Sequence, residues 1–182
     1  MISMIGEKMH FCPACGSRHY EVNGPKSMRC DNCGFELFFN PASANVAFIL
    51  NDRGELLVEK RRHEPAKGTL DLPGGFADPG ETAEEGVKRE VLEETGLRVT
   101  SLQYLFSRPN KYRYSGIDIP TLDLFFLCEV DDCCALHAGD DAADCFWVAL
   151  DDIHTELFGL RSIRHGLADF REYALQKGLT SR

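Results

Sequence analysis

The chain has 182 residues, of which 43% are hydrophobic and 10% aromatic, enough for one packed domain with a small appendage. This composition excludes collagen-like, low-complexity and wholly disordered chains. The formal net charge of -9 repels a phosphate backbone, so nucleic acid is an unlikely partner. Because no apolar run approaches the ~18 residues of a membrane span and the N-terminus lacks a secretion signal, we expect a cytoplasmic protein with no membrane partner.

Four of the eight cysteines form two close pairs near the N-terminus, Cys12 with Cys15 and Cys30 with Cys33. Two residues between thiolates allow both sulfurs to reach one tetrahedral ion, so this spacing predicts a structural Zn²⁺ site. Two disulfides or four free thiols are the alternative, which a reducing compartment disfavours. We expect a zinc-binding domain over residues 1–39 and a main domain over 40–182. The remaining cysteines form no such pattern, and we interpret them as packing or surface residues.

Strand-like and helical segments alternate after Asn40-Pro41, which predicts an α+β fold. A buried strand at 46–50, a turn and a second strand at 55–60 predict a β-hairpin. Helices are predicted near 82–95 and 160–176, and further strands near 97–106, 121–130 and 145–149.

The first of these helices has sequence signals at both ends. Thr82 and Glu85 have the spacing of a capping box, and Gly96 is a natural C-terminal stop. Its apolar positions Ala83, Val87 and Val91 form a stripe that should face the core.

Three glutamates of this helix, Glu90, Glu93 and Glu94, share one face beside the apolar stripe. Like charges in such an arrangement repel unless a cation binds or the face is fully solvated. Magnesium prefers oxygen ligands and can bridge to an anionic diphosphate. The preceding loop contains Gly74 and Gly75, which allow backbone to approach a ligand and the carboxylates closely, so we interpret both glycines as part of the binding site. A solvated acidic helix face is the alternative.

The run from Gly75 to Leu97 resembles the Nudix box, G-x5-E-x7-R-E-U-x-E-E-x-G-U, in which U is a bulky aliphatic residue. Every specified position matches: Gly75, Glu81, Arg89, Glu90, Val91, Glu93, Glu94, Gly96 and Leu97. The resemblance extends from about residue 41 to the C-terminal helix. The four-cysteine unit resembles the zinc ribbon of NADH pyrophosphatase-like Nudix proteins.

This resemblance implies an α/β/α sandwich with a mixed sheet and hydrolysis of a nucleoside diphosphate linked to another group. By position, it implies that Glu90, Glu93 and Glu94 bind Mg²⁺ or Mn²⁺, that Arg89 orients the glutamates and that Glu81 supports the same network. It also suggests a homodimer. The general base stays open among Glu93, Glu94, Asp140, Asp141 and Asp144.

Five further residues are candidates for substrate binding. Arg61 and Arg62 follow the second strand and could grip a phosphate. Arg108 and Tyr112 belong to a basic, aromatic loop predicted at 107–115, which suits the phosphates and base of a nucleotide. Asp141 precedes Trp147 by six residues, where many relatives carry a glutamate. Solvated strand ends and loops are the alternative interpretation of all five.

Two functions remain compatible with this sequence. The first is a metal-dependent hydrolase, and the complete carboxylate set favours it. ADP-ribose-like conjugates rank first, dinucleotides such as NADH second and nucleoside triphosphates third. NADH is disfavoured because only Ser107 and Pro109 remain of the S-Q-P-W-P-F-P pattern of NADH pyrophosphatases. The second is a nucleotide-sensing regulatory module whose zinc ribbon contacts a partner.

Overall fold

The computed structural model describes residues 8–139 and 142–179, and the structural statements below concern these residues. The chain divides into two compact units, one of residues 1–42 with 111–120 and one of residues 43–110 with 121–182. The domain limits drawn from the sequence stay a prediction. No helix within the described ranges is both long and apolar enough to cross a membrane.

The first unit contains a three-stranded antiparallel sheet in the order β1-β2-β3. Its strands are β1 (Tyr20–Val22), β2 (Ser27–Cys30) and β3 (Glu36–Phe38). A small core of its own is formed by Cys12, Tyr20, Met28 and Cys30, with Met9, Phe35, Leu37 and Phe39 packed against it. Two of the predicted zinc ligands therefore belong to this small core.

The remaining strands form a four-stranded sheet in the order β7-β4-β9-β8 and a three-stranded sheet in the order β10-β5-β6. These strands are β4 (Ala42–Ile49), β5 (Glu55–Arg61), β6 (Leu70–Asp71), β7 (Gly74–Phe76), β8 (Val99–Tyr114), β9 (Ile117–Val130) and β10 (Ala142–Ala149). The helices are α1 (Ala83–Thr95) and α2 (Arg161–Lys177), and short 3-10 turns occupy Cys133–Ala135, Leu150–Asp152 and Thr155–Leu157.

Alternate residues of β4 pack into two separate cores, because successive side chains of a strand point to opposite faces. Val46 and Phe48 join a core with α2, where the rings of Phe48 and Phe170 stack with centroids 3.9 Å apart. Ala47 and Ile49 join a core that contains the apolar stripe of α1. Strands thus lie between two helices, and the predicted α+β sandwich is confirmed.

The predicted hairpin of β4 and β5 is wrong. The turn between them is present, but within the described residues the two segments pair only at one isolated antiparallel bridge, which joins Leu50 and Leu56 on either side of the turn. β4 lies between β7 and β9, whereas β5 lies between β10 and β6. The runs 46–49 of β4 and 56–59 of β5 are buried, and each strand is hydrogen-bonded on both edges, as expected for a central strand of a sheet.

The predicted loop at 107–115 is also wrong, because β8 continues to Tyr114 and β9 begins at Ile117. Ser115 and Gly116 make the turn with positive φ angles of 49° and 75°, the backbone that a tight hairpin turn requires. Lys111 and Arg113 each form an ion pair with Asp118, at 3.4 and 3.2 Å. The segment is thus a strand whose side chains are polar and charged, and it lacks the apolar alternation that would have predicted a strand.

Candidate functional site

Helix α1 begins and ends at the predicted residues, which fixes the direction of its side chains. The Glu85 N–H donates to Thr82 Oγ1 at 3.1 Å, and the Thr82 N–H donates to the Glu85 carboxylate at 2.9 Å. Gly96 ends the helix with a φ of 72°. Val87 and Val91 are fully buried, so the neighbouring turns present Glu90, Glu93 and Glu94 along the edge of the core.

The Arg89 guanidinium holds three carboxylates together. Its Nε and Nη2 donate to the two oxygens of Glu81 at 2.9 and 3.0 Å, and its Nη1 donates to Glu90 at 2.8 Å and to Glu93 at 3.0 Å. Its Nη2 also donates to the Phe76 carbonyl at 3.0 Å. These hydrogen bonds lower the pKa of Glu81 and raise that of Arg89, so both partners of this ion pair stay charged.

Glu94 is buried within the second unit, and a backbone N–H holds its carboxylate instead of Arg89. It is only 5% exposed, and its carboxylate accepts a hydrogen bond of 2.8 Å from the Gly74 N–H. Burial raises the pKa of Glu94 well above its usual value, and the negative charges of Glu59, Glu90 and Asp71 raise it further. A cation beside Glu94 would relieve both effects.

Gly74 and Gly75 belong to a short strand, β7, and not to a loop as the sequence suggested. They pair with Val46 and Asn45 of β4. A Cβ at Gly74 would overlap the Asn45 backbone oxygen, and a Cβ at Gly75 would lie 2.5 Å from Glu90 Oε1. Gly74 therefore allows β7 to lie close to β4, and Gly75 allows it to lie directly against the Glu90 carboxylate.

Three buried carboxylates near this region were missed from the sequence: Glu59 on β5, Asp71 on β6 and Asp123 on β9. Asp71 forms an ion pair with Arg61, yet burial raises the pKa of Asp71 above its usual value, with Asp123 adding to the rise. An acidic residue that ends the apolar run Leu56-Leu57-Val58 is the one sequence signal that could have indicated Glu59.

Arg61 and Arg62 make contacts within the protein. Arg61 binds Asp71 and also donates from its Nε to the Pro65 carbonyl at 2.8 Å. Arg62 donates from its Nη2 to the Ala142 carbonyl at 2.6 Å. Their roles in phosphate binding stay predictions.

The remaining substrate candidates lie on other elements or outside the described residues. Arg108 forms an ion pair of 2.5 Å with Asp169 of α2, and Tyr112 belongs to the first unit. Asp141, like Asp140, lies outside the described residues. Asp144 is exposed on β10, opposite Lys60 of β5.

The four N-terminal cysteines meet the geometric test for a metal site. Their sulfur atoms all lie within 4.8 Å of one another. The distances from Cys12 Sγ to Cys33 Sγ and from Cys15 Sγ to Cys30 Sγ are both 3.7 Å. A tetrahedral zinc ion with Zn–S bonds of about 2.3 Å separates its sulfurs by about 3.8 Å, so the cluster fits that ion.

The two halves of the cysteine cluster have the same backbone. The Gly16 N–H donates to the Cys12 carbonyl and the Gly34 N–H to the Cys30 carbonyl, both at 2.8 Å, and the two glycines have φ angles of 72° and 75°. A backbone hydrogen bond at Ser17 and the Asn32 side chain lower the pKa of Cys15 to about 6. The contact with Cys15, together with burial, raises the pKa of Cys33 to about 12, so Cys15 loses its proton before Cys33 does.

Elsewhere in the described chain, no three His, Cys, Asp or Glu side chains bring ligand atoms equally close. The carboxylates of α1 are accordingly not gathered around a common point: Arg89 holds Glu90 and Glu93, while Gly74 holds Glu94.

The sequence model of the NUDIX domain matches residues 40–169, most of the chain. The chain belongs to the Nudix family. Its Nudix fold is shared with a NUDIX hydrolase crystal structure from Nitrosomonas europaea, at a TM-score of 0.72 and 22% identity over 95% of this chain and 96% of that one. The recognition made from the box and the cysteine pattern is therefore confirmed.

Two curated Nudix proteins are similar to this chain in sequence. The ADP-ribose pyrophosphatase of Methanocaldococcus jannaschii is 37% identical over 121 residues, which cover 65% of this chain and 68% of that protein. The NAD-capped RNA hydrolase NudC of Vibrio atlanticus is 34% identical over 103 residues, which cover 57% of this chain and 38% of that protein. The match to the second relative thus spans well under half of that relative's length.

Proposed function

We propose that this Nudix protein is a divalent-metal-dependent hydrolase that cleaves the diphosphate linkage of a nucleoside diphosphate conjugate. The observation that carries the proposal is the Arg89 cluster, in which one guanidinium holds Glu81, Glu90 and Glu93 beside the buried Glu94. A solvated acidic helix needs neither a buried carboxylate nor an arginine held by several partners.

The donor set suits Mg²⁺ or Mn²⁺, because Glu90, Glu93 and Glu94 supply the oxygen ligands that hard cations prefer. Such an ion, when bound, supplies an activated water and neutralises charge on the phosphates. Glu81 anchors Arg89, and Arg89 restrains the side chains of Glu90 and Glu93. Gly75 leaves room for the Glu90 carboxylate beside β7.

ADP-ribose-like conjugates rank first as substrates. The match to the ADP-ribose pyrophosphatase covers 68% of that protein, whereas the match to the NAD-capped RNA hydrolase covers 38% of its length. Dinucleotides such as NADH rank second. The net charge of -9 disfavours a long RNA chain attached to the conjugate.

The cysteine cluster is proposed to hold one structural Zn²⁺. Four thiolates leave no open position for water, so this ion would stabilise the first unit and take no part in hydrolysis.

The test is a panel of diphosphate conjugates incubated with Mg²⁺ or Mn²⁺, with ADP-ribose, NADH and NAD-capped RNA as separate arms. Products are resolved by mass spectrometry in ¹⁸O-water, which marks the phosphorus that is attacked. Glu93→Gln should lower turnover about 100-fold or more, because a metal contributes several kcal/mol to stabilising the transition state. Glu84→Gln, the same change at an exposed position of α1, is the matched control and should retain wild-type turnover.

The same panel separates the hydrolase from a nucleotide-sensing module. A wild-type protein that binds ADP-ribose in a calorimetric titration but releases no product with either metal would contradict the proposed hydrolase and favour the sensor.

A further inference from the structure

A buried carboxamide lies beside the acidic site without a hydrogen-bond partner. Asn45 of β4 is 1% exposed, and neither its Oδ1 nor its Nδ2 is hydrogen-bonded within the described structure. Leaving a buried donor and acceptor unpaired is unfavourable, so such a group calls for an explanation in function.

The position of Asn45 on its strand directs its side chain toward α1. Ala47 and Ile49, two and four residues further along β4, both belong to the core that contains the apolar stripe of α1. Asn45 also pairs with Gly75, the residue whose missing Cβ leaves space for the Glu90 carboxylate.

Gly86 makes room for this carboxamide on the helix itself. A Cβ at Gly86 would overlap Asn45 Nδ2 and would lie 3.0 Å from Glu81 Oε2. Asn45 and Glu81 thus flank the same small space above Gly86. Because glycine in a helix interior is destabilising relative to alanine, the space is maintained at the expense of helix stability.

Glu81 is the anchor of the metal-binding carboxylates. It receives two hydrogen bonds from Arg89, and Arg89 in turn holds Glu90 and Glu93. A cation bound by Glu90 and Glu93 competes with Arg89 Nη1 for their oxygens, so Arg89 then depends on Glu81, whose Oε2 also accepts from the Asp78 N–H at 2.9 Å. A nearby amide donor would then keep Glu81 in place.

We propose that Asn45 is a positioning residue of the metal site, whose carboxamide donates to Glu81 in the metal-loaded protein and thereby orients Arg89 and the ligating glutamates. The proposal rests on the proposed function only in that α1 binds a divalent cation. Residues that orient metal ligands in this way commonly change metal affinity 10-fold to about 100-fold when they are replaced.

The experiment replaces Asn45 with leucine, which has nearly the same shape but no polar atoms. Binding of Mn²⁺ to the full chain is followed by electron paramagnetic resonance of the free ion, and Tm is measured in metal-free buffer after the cysteine cluster has been loaded with zinc. Asn45→Leu should bind Mn²⁺ about 10-fold more weakly. Its Tm should not fall, because the variant removes an unpaired buried polar group.

Ser162→Ala is the matched control. Ser162 lies on α2, is 1% exposed and likewise has a hydroxyl without a hydrogen-bond partner in the described structure. Its replacement should leave Mn²⁺ affinity unchanged. The pair Asn45→Thr and Asn45→Val, equal in shape but differing in one hydroxyl, gives a second comparison in which Thr should bind Mn²⁺ more tightly than Val.

Wild-type Mn²⁺ affinity in Asn45→Leu would overturn the proposal. Should the leucine variant unfold or lose Tm, the Thr and Val pair decides, and equal affinities of those two would overturn it as well. These outcomes do not depend on turnover. The hydrolase proposal fails if the wild type cleaves no conjugate, whereas this inference fails if the wild type binds no Mn²⁺ or if Mn²⁺ affinity is the same for polar and apolar side chains at position 45.

Discussion

Arg89 shows how one residue permits an otherwise unfavourable arrangement. Three carboxylates beside a core would repel one another, but each accepts a hydrogen bond of 2.8 to 3.0 Å from the same guanidinium. A lysine could not replace this geometry, because an ammonium is a compact charge without a planar fork of donors. Arg89 thus allows Glu81, Glu90 and Glu93 to stay charged close to one another on and beside α1.

The two glycines of β7 should fail in different ways when they are replaced by alanine. In Gly75→Ala the new methyl would meet the end of the flexible Glu90 side chain, so the fold should persist while turnover falls. In Gly74→Ala the methyl would overlap the Asn45 backbone, and residue 74 would have to keep a φ of 152°, which residues with a side chain rarely adopt. We therefore expect this variant to lose about 1–3 kcal/mol of stability. Urea unfolding and initial rates, measured side by side, check this contrast. Equal stability of both variants would contradict it.

Glu94 should make stability depend on pH in the direction opposite to that of an ordinary surface carboxylate. Burial, with the charge of Glu59, raises the pKa of Glu94 above 4.5, its usual value, so the folded state binds its proton more tightly than the unfolded state does. Stability is therefore lost as pH rises above about 4.5 toward the raised pKa. In metal-free buffer, Glu94→Gln should unfold at higher urea than wild type at pH 7, and the difference should vanish near pH 4.

Glu84→Gln serves as the control for that profile, since Glu84 is exposed on the same helix and should leave the pH dependence unchanged. A Glu94→Gln variant that is less stable than wild type at pH 7 without metal would contradict the argument.

Among the helices and strands, signals within a segment predicted helix α1 correctly, but they did not predict which strands pair with each other. Helix α1 was predicted to the residue, because the Thr82 capping box and Gly96 are encoded within the helix itself. The β4–β5 hairpin was wrong, because three of the four neighbours of these strands, β7, β9 and β10, come from later segments of the chain. The outer half of the β8–β9 hairpin was missed, because its residues are polar and charged and show no apolar alternation.

The candidate site shows the same contrast between residues close in sequence and residues brought together by the fold. The Nudix box residues were found because they lie within one short segment, whereas Asn45, Glu59 and Asp123 come to the region from three separate strands. A polar residue within an apolar strand gives no periodic signal, so its burial emerges only from tertiary packing.

The N-terminal cap of α1 is open to a direct stability test. Thr82→Ala removes the hydroxyl that accepts a hydrogen bond from the Glu85 N–H, which is one half of the capping box. The other half, from the residue 82 backbone N–H to Glu85, stays possible. We expect a loss of about 1 kcal/mol of unfolding free energy, as for other caps. Urea denaturation measures it, and Thr100→Ala is the control because Thr100 is exposed on β8. An equal loss in both variants would show that the cap contributes nothing of its own.

At the scale of the whole molecule, each compact unit has a core made of its own residues. The first unit has only a small core around the cysteine cluster, so its folding should depend on metal, as in other small metal-binding domains. The second unit has two cores and should fold without zinc. The single tryptophan, Trp147, lies on β10 of the second unit, so its fluorescence reports on that unit alone.

Cys33→Ser should therefore separate the two units. We expect the purified variant to lose its bound zinc, measured by mass spectrometry of the metal, and to lose amide exchange protection in β1–β3, because a tetrahedral site with three thiolates binds more weakly. The unfolding midpoint reported by Trp147 should stay close to that of wild type. Cys133→Ser, a change outside the cluster, should alter neither zinc content nor protection. Retention of zinc by Cys33→Ser, or a Trp147 transition that disappears together with the zinc, would show that the cysteine cluster is not an independent structural site.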